Sequence, residues 1–362
     1  MKTLDLQLVE DAFPLTPDFR AAWAALHARA PGANVFSTLV WLEEGLRVFC
    51  RAGERVRPLR FVTPAGETVA VCLLRETSTR GKLWRKRCLR TVDYNVQRFV
   101  PLVAATPEHL AAALLVLYRA RARHYDVLDF FKLDGLDGQL TTIVEQLRAQ
   151  GVPASLTPFN EQPYLTLDPD WEVVYRAHSP VFWKNPRRMH NKLDREVGAV
   201  RHVRLRDADA MTMLPAALDA MSSVLHKSWQ ADSIEQEGQY TVGQMEAFYR
   251  AIAHEMARNG QLDLNVLYAG DIPLAFDYNL VQGTCVYVII GMYDGAYAKY
   301  SPGKVLMTLW LRDSHARGDR RIEFGGEHLE YKKQWTTTNA TAYRLRLRGK
   351  TLVSRVAALL GR

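Results

Sequence analysis

Two stretches of this chain share one pattern of apolar and polar positions. Leu59–Leu74 alternates, turns at Pro64-Ala65-Gly66 and alternates again, and Leu264–Phe276 does the same around Ala269-Gly270-Asp271. Alternation on both sides of a tight glycine turn predicts a β-hairpin in each case. Each hairpin is followed by irregular sequence and then an amphipathic helix, about His109–Arg123 in the first half and Gly303–Ala316 in the second. Each helix leads into a similar strand, Tyr125–Phe130 and Arg320–Phe324, ending on Asp129-Phe130 and Glu323-Phe324. Helical spacing also predicts Phe19–Arg29, Leu39–Phe49, Ala210–Trp229 and Gly243–Asn259, the last stopped by Asn259-Gly260. The pattern predicts two copies of one α/β unit. The plainer alternative is that hairpin–helix–strand units recur by chance in α/β chains. Asp168-Pro169-Asp170 breaks the pattern near Leu165–Trp171 and divides the chain into 1–168 and 169–362. Leu345–Leu360, basic and apolar, reads as a last strand plus a short helix, with a membrane-surface helix as the alternative.

Length agrees with two domains, since 362 residues exceed what one compact core holds. The chain is 48% hydrophobic and 24% charged, a soluble globular composition. Its net charge of +8 favours anionic partners: a nucleotide cofactor, an acidic glycan, RNA or a membrane surface. Cys50, Cys72, Cys88 and Cys285 lie far apart with no CxxC pair, so free thiols are expected and no metal site. The N-terminus lacks the apolar core of a signal peptide, and no run approaches the length of a membrane span. A cytoplasmic location is the expectation, with attachment to the inner face of the membrane as a variant. GxSxG, Walker A, HExxH and GxGxxG are all absent, which removes the chemistries those motifs serve.

The segment Tyr300-Ser301-Pro302-Gly303-Lys304-Val305 changes the picture most. It follows a strand-like run, Thr284–Gly291, and opens directly into the apolar helix. The first N–H groups of a helix have no intrahelical acceptor, and the helix dipole favours an anion there. Gly303 lets a ligand approach the backbone and Lys304 adds a positive charge, so the turn reads as a pyrophosphate cradle. The alternative is an ordinary helix start. The first half has Arg98-Phe99-Val100-Pro101-Leu102 at the matching place and no glycine, so only the second half is expected to hold such a ligand.

Further motifs follow in order: Tyr293-Asp294, then Ser301-Pro302-Gly303, then Glu323-Phe324-Gly325-Gly326-Glu327, then Tyr331-Lys332 and Trp335. This order resembles the CelD/BcsL-like acyltransferases of the GNAT superfamily, relatives of the FemAB-type aminoacyltransferases. Ala275-Phe276 and Ser228-Trp229 fit the same family pattern. The resemblance is strong over roughly residues 175–340 and weaker over 30–165. It implies an α/β (α+β) protein of tandem GNAT-like domains, each a mixed, mostly antiparallel sheet flanked by helices. It further implies a degenerate N-terminal half that shapes a substrate cleft and a C-terminal half that holds acyl-CoA as co-substrate. The implied activity is acyl transfer to a sugar, amino sugar or amino acid, in exopolysaccharide or cell-envelope synthesis. Two alternatives stay open: a FemAB-type transferase using aminoacyl-tRNA, and a catalytically silent scaffold that binds acyl-CoA or a glycan-synthase partner.

In such a reaction the acceptor loses a proton to a carboxylate and the leaving thiolate gains one. Glu323 and Glu327, flanking the Gly-Gly turn, are the base candidates, with Asp294 third. Tyr331 is the candidate acid, with Tyr293, Tyr297 and Tyr300 as further acids or acceptor-binding groups. The cofactor is expected at Tyr300, Ser301, Pro302, Gly303, Lys304 and Val305. Acceptor contacts are expected from Trp229, Asp277, Tyr293, Asp294, Tyr297, Lys332 and Trp335. Asp277 stands out because the strand around it is apolar, as a buried strand requires; an edge position is the alternative. For the tyrosines and tryptophans, ordinary packing is the competing explanation.

The densest positive cluster runs from Lys184 to Arg195, with Arg187, Arg188, Lys192 and Arg195 spaced to share a helix face and Pro186 in its first turn. It is either a phosphate or acidic-glycan contact or a solvated face paired with Asp194 and Glu196. No aromatic residue interleaves the cluster, which argues against nucleic-acid base stacking other than in the tRNA alternative.

Overall fold

The computed structural model describes residues 4–51, 53–80, 85–94, 97–207, 210–237, 240–326 and 330–359. The chain divides into two compact units, Gln162–Ala340 and the remainder, Met1–Glu161 with Thr341–Arg362.

The first unit begins with β1 (Gln7–Glu10), α1 (Pro17–His27) and α2 (Leu39–Phe49). Then come β2 (Arg55–Val62), β3 (Thr68–Arg80), β4 (Arg85–Thr91) and β5 (Leu102–Ala104). They are followed by α3 (Pro107–Arg121), β6 (Val127–Leu133), α4 (Gln139–Ala149) and β7 (Ala154–Thr166). The strands β1 to β4 pair antiparallel in sequence order, and β6 joins β4 in parallel. The hairpin between β2 and β3 turns on Gly66 at φ +84°, a conformation that side chains disfavour. Thr106 caps α3 by accepting from His109 N–H, with Pro107 at the first helical position. The core fills the space between this sheet and α3 and α4, with Leu114, Leu117, Leu128, Ile143 and Val144 fully enclosed.

The second unit adds α5 (Trp171–Arg176), α6 (Pro180–Glu196), β8 (Val200–Leu205), α7 (Ala210–Leu225), α8 (Trp229–Glu237) and α9 (Val242–Arg258). Its centre is β9 (Leu262–Ala269), β10 (Ile272–Gln282), β11 (Cys285–Tyr293), α10 (Pro302–Ala316), β12 (Arg321–Glu323) and α11 (Glu330–Lys333). β8, β9, β10 and β11 pair antiparallel in turn, β12 joins β11 in parallel, and Tyr164–Thr166 of β7 closes the row antiparallel to β12. Arg204 of β8 holds the buried Asp263 carboxylate with two bonds of 2.7 Å and also reaches Asp313 and Ser314 on α10. That network ties the helix to the sheet.

The chain ends with β13 (Asn339–Arg348), antiparallel to β6, and α12 (Leu352–Leu359). The two units therefore carry the same plan: a hairpin, a third strand, a helix, a parallel strand and an antiparallel strand beyond it. The α/β fold with mixed, mostly antiparallel sheets is as expected. The division is not the expected 1–168 and 169–362. The break falls after Glu161, within β7, and residues from Thr341 onward belong to the first unit because β13 needs β6 as its partner. Ala210–Trp229 is likewise two helices, interrupted at 226–228. Pro186 lies inside α6 rather than at its start, because Ser179 accepts from Phe182 N–H and Pro180 takes the first helical position. Its missing N–H removes one bond of the helix. No helix among the described residues is long and apolar enough to cross a membrane.

Candidate active site

β11 and β12 run in parallel only from Cys285–Arg321 to Tyr287–Glu323. Past that point β11 continues along β10 alone, and Phe324 and the turn after it leave the ladder. A cavity of about 570 Å3 opens there, inside the second unit, within the range of small-ligand sites. Asp277 and Gly291 form part of its wall from the sheet, Ser301, Gly303 and Lys304 from the start of α10, and Tyr331 and Trp335 from the segment after β12.

The start of α10 is built by local chemistry. Asp294 accepts from Ala296 N–H at 2.9 Å and sets up the short turn Gly295–Tyr300. Ser301 then adopts a left-handed conformation, φ 50°, so that Pro302 begins the helix. Lys304 and Val305 N–H donate to the Ser301 carbonyl at 3.0 and 3.1 Å. Pro302 has no N–H, so Gly303 supplies the first-turn donor that the helix itself does not use. The anion cradle is therefore narrower than the sequence implies: one N–H and the Lys304 ammonium. A Cβ on Gly303 would stand 3.5 Å from the Tyr293 ring, an ordinary contact, so the protein alone does not demand glycine there.

Of the residues expected at a site, the structure brings Trp229, Asp277, Tyr293, Ser301, Gly303, Lys304, Tyr331 and Trp335 together around the cavity. Trp229 Nε1 donates to Tyr293 Oη at 3.2 Å. Trp335 packs edge-on against Phe182 of α6, with ring centres 4.8 Å apart. Others lie elsewhere. Pro302 and Val305 are buried on α10 itself, and Tyr300 is buried with its hydroxyl donating to Glu196 at 3.1 Å. Tyr297 packs near Tyr300, and Asp294 serves as the cap described above. Glu323 is buried and accepts from Arg321 Nε at 2.6 Å, while that guanidinium stacks on Tyr164. Glu323 is not among the cavity-lining residues. Lys332 is buried too, its ammonium donating to the Gly325 carbonyl at 2.5 Å. Glu327 lies outside the described residues.

Asp277 has the most unusual environment. Its side chain is buried on β10, and Trp310 Nε1 of α10 donates to Oδ2 at 2.7 Å. Burial pushes its pKa up to about 7; the Trp310 bond works against that shift and the charge of Asp263 adds to it. Gly291 faces Asp277 across the β10–β11 ladder. Tyr331 is pushed up to about 12, first by desolvation and then by Asp277. It keeps 49% of its surface accessible, within the concave wall of the cavity. Lys304 is lowered by desolvation; its Nζ lies over the Phe182 ring at 4.5 Å and donates to Gln334 Oε1 at 3.0 Å.

The basic helix contributes as well. Asn185, Arg188 and Met189 of α6 line the cavity, residues that the sequence placed only in a general anion-contact region. Arg195 and Lys192 pair with Glu196, whereas Lys184, Arg187 and Arg188 are exposed with no carboxylate partner among the described residues. Gly291 was missed, although a glycine inside the apolar run Val288-Ile289-Ile290-Gly291-Met292 is the signal of a close approach.

Residues 182–333 match the family model Acetyltransf_6, acetyltransferase (GNAT) domain. The comparison with curated proteins returned no match. Among solved structures the chain is similar to FemX, with a TM-score of 0.61 and 12% identity, covering 98% of this chain and 100% of that one. It is similar to the C-terminal DUF2156 domain of a putative lysylphosphatidylglycerol synthetase from Agrobacterium fabrum, with a TM-score of 0.54 and 9% identity over 94% and 95% of the two chains. The L-PGS structure from Bacillus licheniformis gives 0.52 and 11%, over 95% of each chain. At such identities the structures speak for the fold alone. Over residues 182–333 the chain thus carries a GNAT-type acyltransferase domain.

Proposed function

We propose that the second unit transfers an acyl group from acyl-CoA to the amine or hydroxyl of a sugar, amino sugar or amino acid. The observation that carries this reading is one cavity that joins an anion-favouring helix start to a buried carboxylate with a pKa near neutrality. Gly303 N–H and Lys304 fit the phosphates of such a donor. The thioester supplies the activated acyl group.

The chain's own residues then move protons. Asp277 takes the place expected for Glu323, because its carboxylate reaches the cavity and that of Glu323 does not line it. At neutral pH a substantial fraction of Asp277 is ionised and is a competent base. It accepts the acceptor's proton as the acceptor's lone pair bonds to the acyl carbon. The carbon–sulfur bond breaks, and Tyr331, protonated at neutral pH, returns a proton to the sulfur. Trp229, Tyr293 and Trp335 form walls against which an acceptor packs. The finer likeness to the CelD/BcsL-like family points this chemistry towards exopolysaccharide or cell-envelope synthesis on the cytoplasmic side. The test is an acceptor screen with acetyl-CoA: turnover with at least one amine or hydroxyl acceptor, abolished in Asp277→Asn, is expected. A protein that binds the thioester and acylates nothing is a silent scaffold.

A second reading is favoured by the fold likeness to FemX and by the three cations of α6 that have no carboxylate partner among the described residues. In it the donor is an aminoacyl-tRNA, and the same Asp277 serves the acceptor amine. Donor binding separates the two: an RNA donor binds with a steep salt dependence and leaves CoA thioesters unbound.

A further inference from the structure

Asp277 is held by one oxygen and open at the other. Trp310, on the third turn of α10 and fully buried, donates to Oδ2. Oδ1 takes no hydrogen bond from any described residue. It lies against Gly291, where a Cβ would stand 2.1 Å from it and would force the carboxylate aside. Gly291 and Asp277 both line the cavity.

We infer that Trp310 and Gly291 aim the base: the indole N–H fixes the carboxylate, and the missing side chain at residue 291 leaves Oδ1 as the oxygen presented to the acceptor. This rests on the proton-accepting role proposed for Asp277. Trp310 touches no substrate and is a positioning residue. It also makes α10 serve both ends of the reaction. The first turn of the helix meets the donor's phosphates and its third turn holds the base, about 10 Å further along at 1.5 Å per residue. A rigid helix therefore fixes the distance between donor and base.

Few other charges bear on Asp277. Asp263 on β9 adds its negative charge while paired with Arg204 of β8. Asp313 on α10 is shared by Arg204 and Arg317. Tyr331, Lys304 and Arg188 stand around the same cavity.

The test follows the indole 1H–15N resonance of Trp310 in the full chain from pH 5 to 9. The resonance is assigned by its loss in Trp310→Phe or, should that variant not fold, by its selective shift in Asp277→Asn. The expected result is a titration centred near pH 7 that vanishes in Asp277→Asn. An indole that does not titrate in this range overturns the inference whatever the activity. In pH–rate profiles, Trp310→Phe removes a bond to the ionised form, so the limb on which Asp277 ionises moves up by about one unit. At pH 7 kcat falls about fivefold, with the KM for the donor unchanged. A folded Trp310→Phe with an unmoved profile overturns the positioning role. Full turnover in Asp277→Asn, beside an indole that titrates, overturns the proton-accepting reading and the positioning role with it.

Discussion

Asp277 and Gly291 stand opposite each other on neighbouring strands, and the glycine is what leaves room for the carboxylate. Any side chain at residue 291 meets Oδ1 far inside contact distance, and the Trp310 bond restrains the carboxylate from moving aside. Gly291→Ala is therefore expected to lose about 1–3 kcal/mol of stability through overpacking. Chemical denaturation of the variant checks this. The same loss is expected to be relieved in the double variant Gly291→Ala with Asp277→Ala, which removes the clashing oxygen.

Asp277 also sets a pH dependence of stability. Its folded pKa, about 7, lies above the ordinary carboxylate value of 3.8. Between these values the folded state binds more protons than the unfolded state, so stability falls as pH rises through this window. Above pH 7 the penalty is complete, and a shift of this size corresponds to roughly 4 kcal/mol as an upper figure. Asp277→Asn removes the penalty and is expected to be more stable than the parent at pH 8, with the gap closing towards pH 4. Urea titrations at the two pH values measure it; a gap that widens on acidification contradicts the assignment.

Lys332 is expected to report as a structural residue. Its buried ammonium clasps the carbonyl of Gly325, and Gly325 and Gly326 both sit at positive φ, where that turn needs glycine. Lys332→Met leaves the carbonyl without this donor and is expected to cost about 1–3 kcal/mol. A variant with native stability and lost acceptor binding would instead restore Lys332 to substrate contact.

Lys304 rests on a neutral partner, Gln334, and an aromatic face, so an anionic donor gains its charge without first breaking an ion pair. Lys304→Met is expected to weaken donor binding about tenfold, near 1.4 kcal/mol, with little change in melting temperature. Calorimetric titration beside a thermal melt separates the two effects.

Much of this architecture is written locally. The hairpins at Gly66 and Gly270, the helix start at Pro302 and the strand end at Glu323-Phe324 are short-range patterns, and each appears where the alternation places it, whereas β6 runs on past Asp129-Phe130 to Leu133. Asp277 was visible as a carboxylate in an apolar strand. Its role was not, because that depends on Gly291 and Trp310, which come from other elements and meet it only through the strand register and the packing of α10. Glu323 is the reverse case: a carboxylate beside a Gly-Gly turn looks like a base, and in the structure Arg321, two residues earlier, points the same way along the strand and engages it. The place of β13 was equally hidden, since no local signal says which sheet accepts a terminal strand.

The most direct measurement is a calorimetric titration of the full chain with acetyl-CoA and a longer acyl-CoA, run beside folded Gly303→Glu. The proposal predicts saturable binding of at least one thioester, lost in the variant because a carboxylate then occupies the helix start. Failure of both thioesters to bind, or binding that Gly303→Glu leaves unchanged, contradicts an acyl-CoA site at the start of α10.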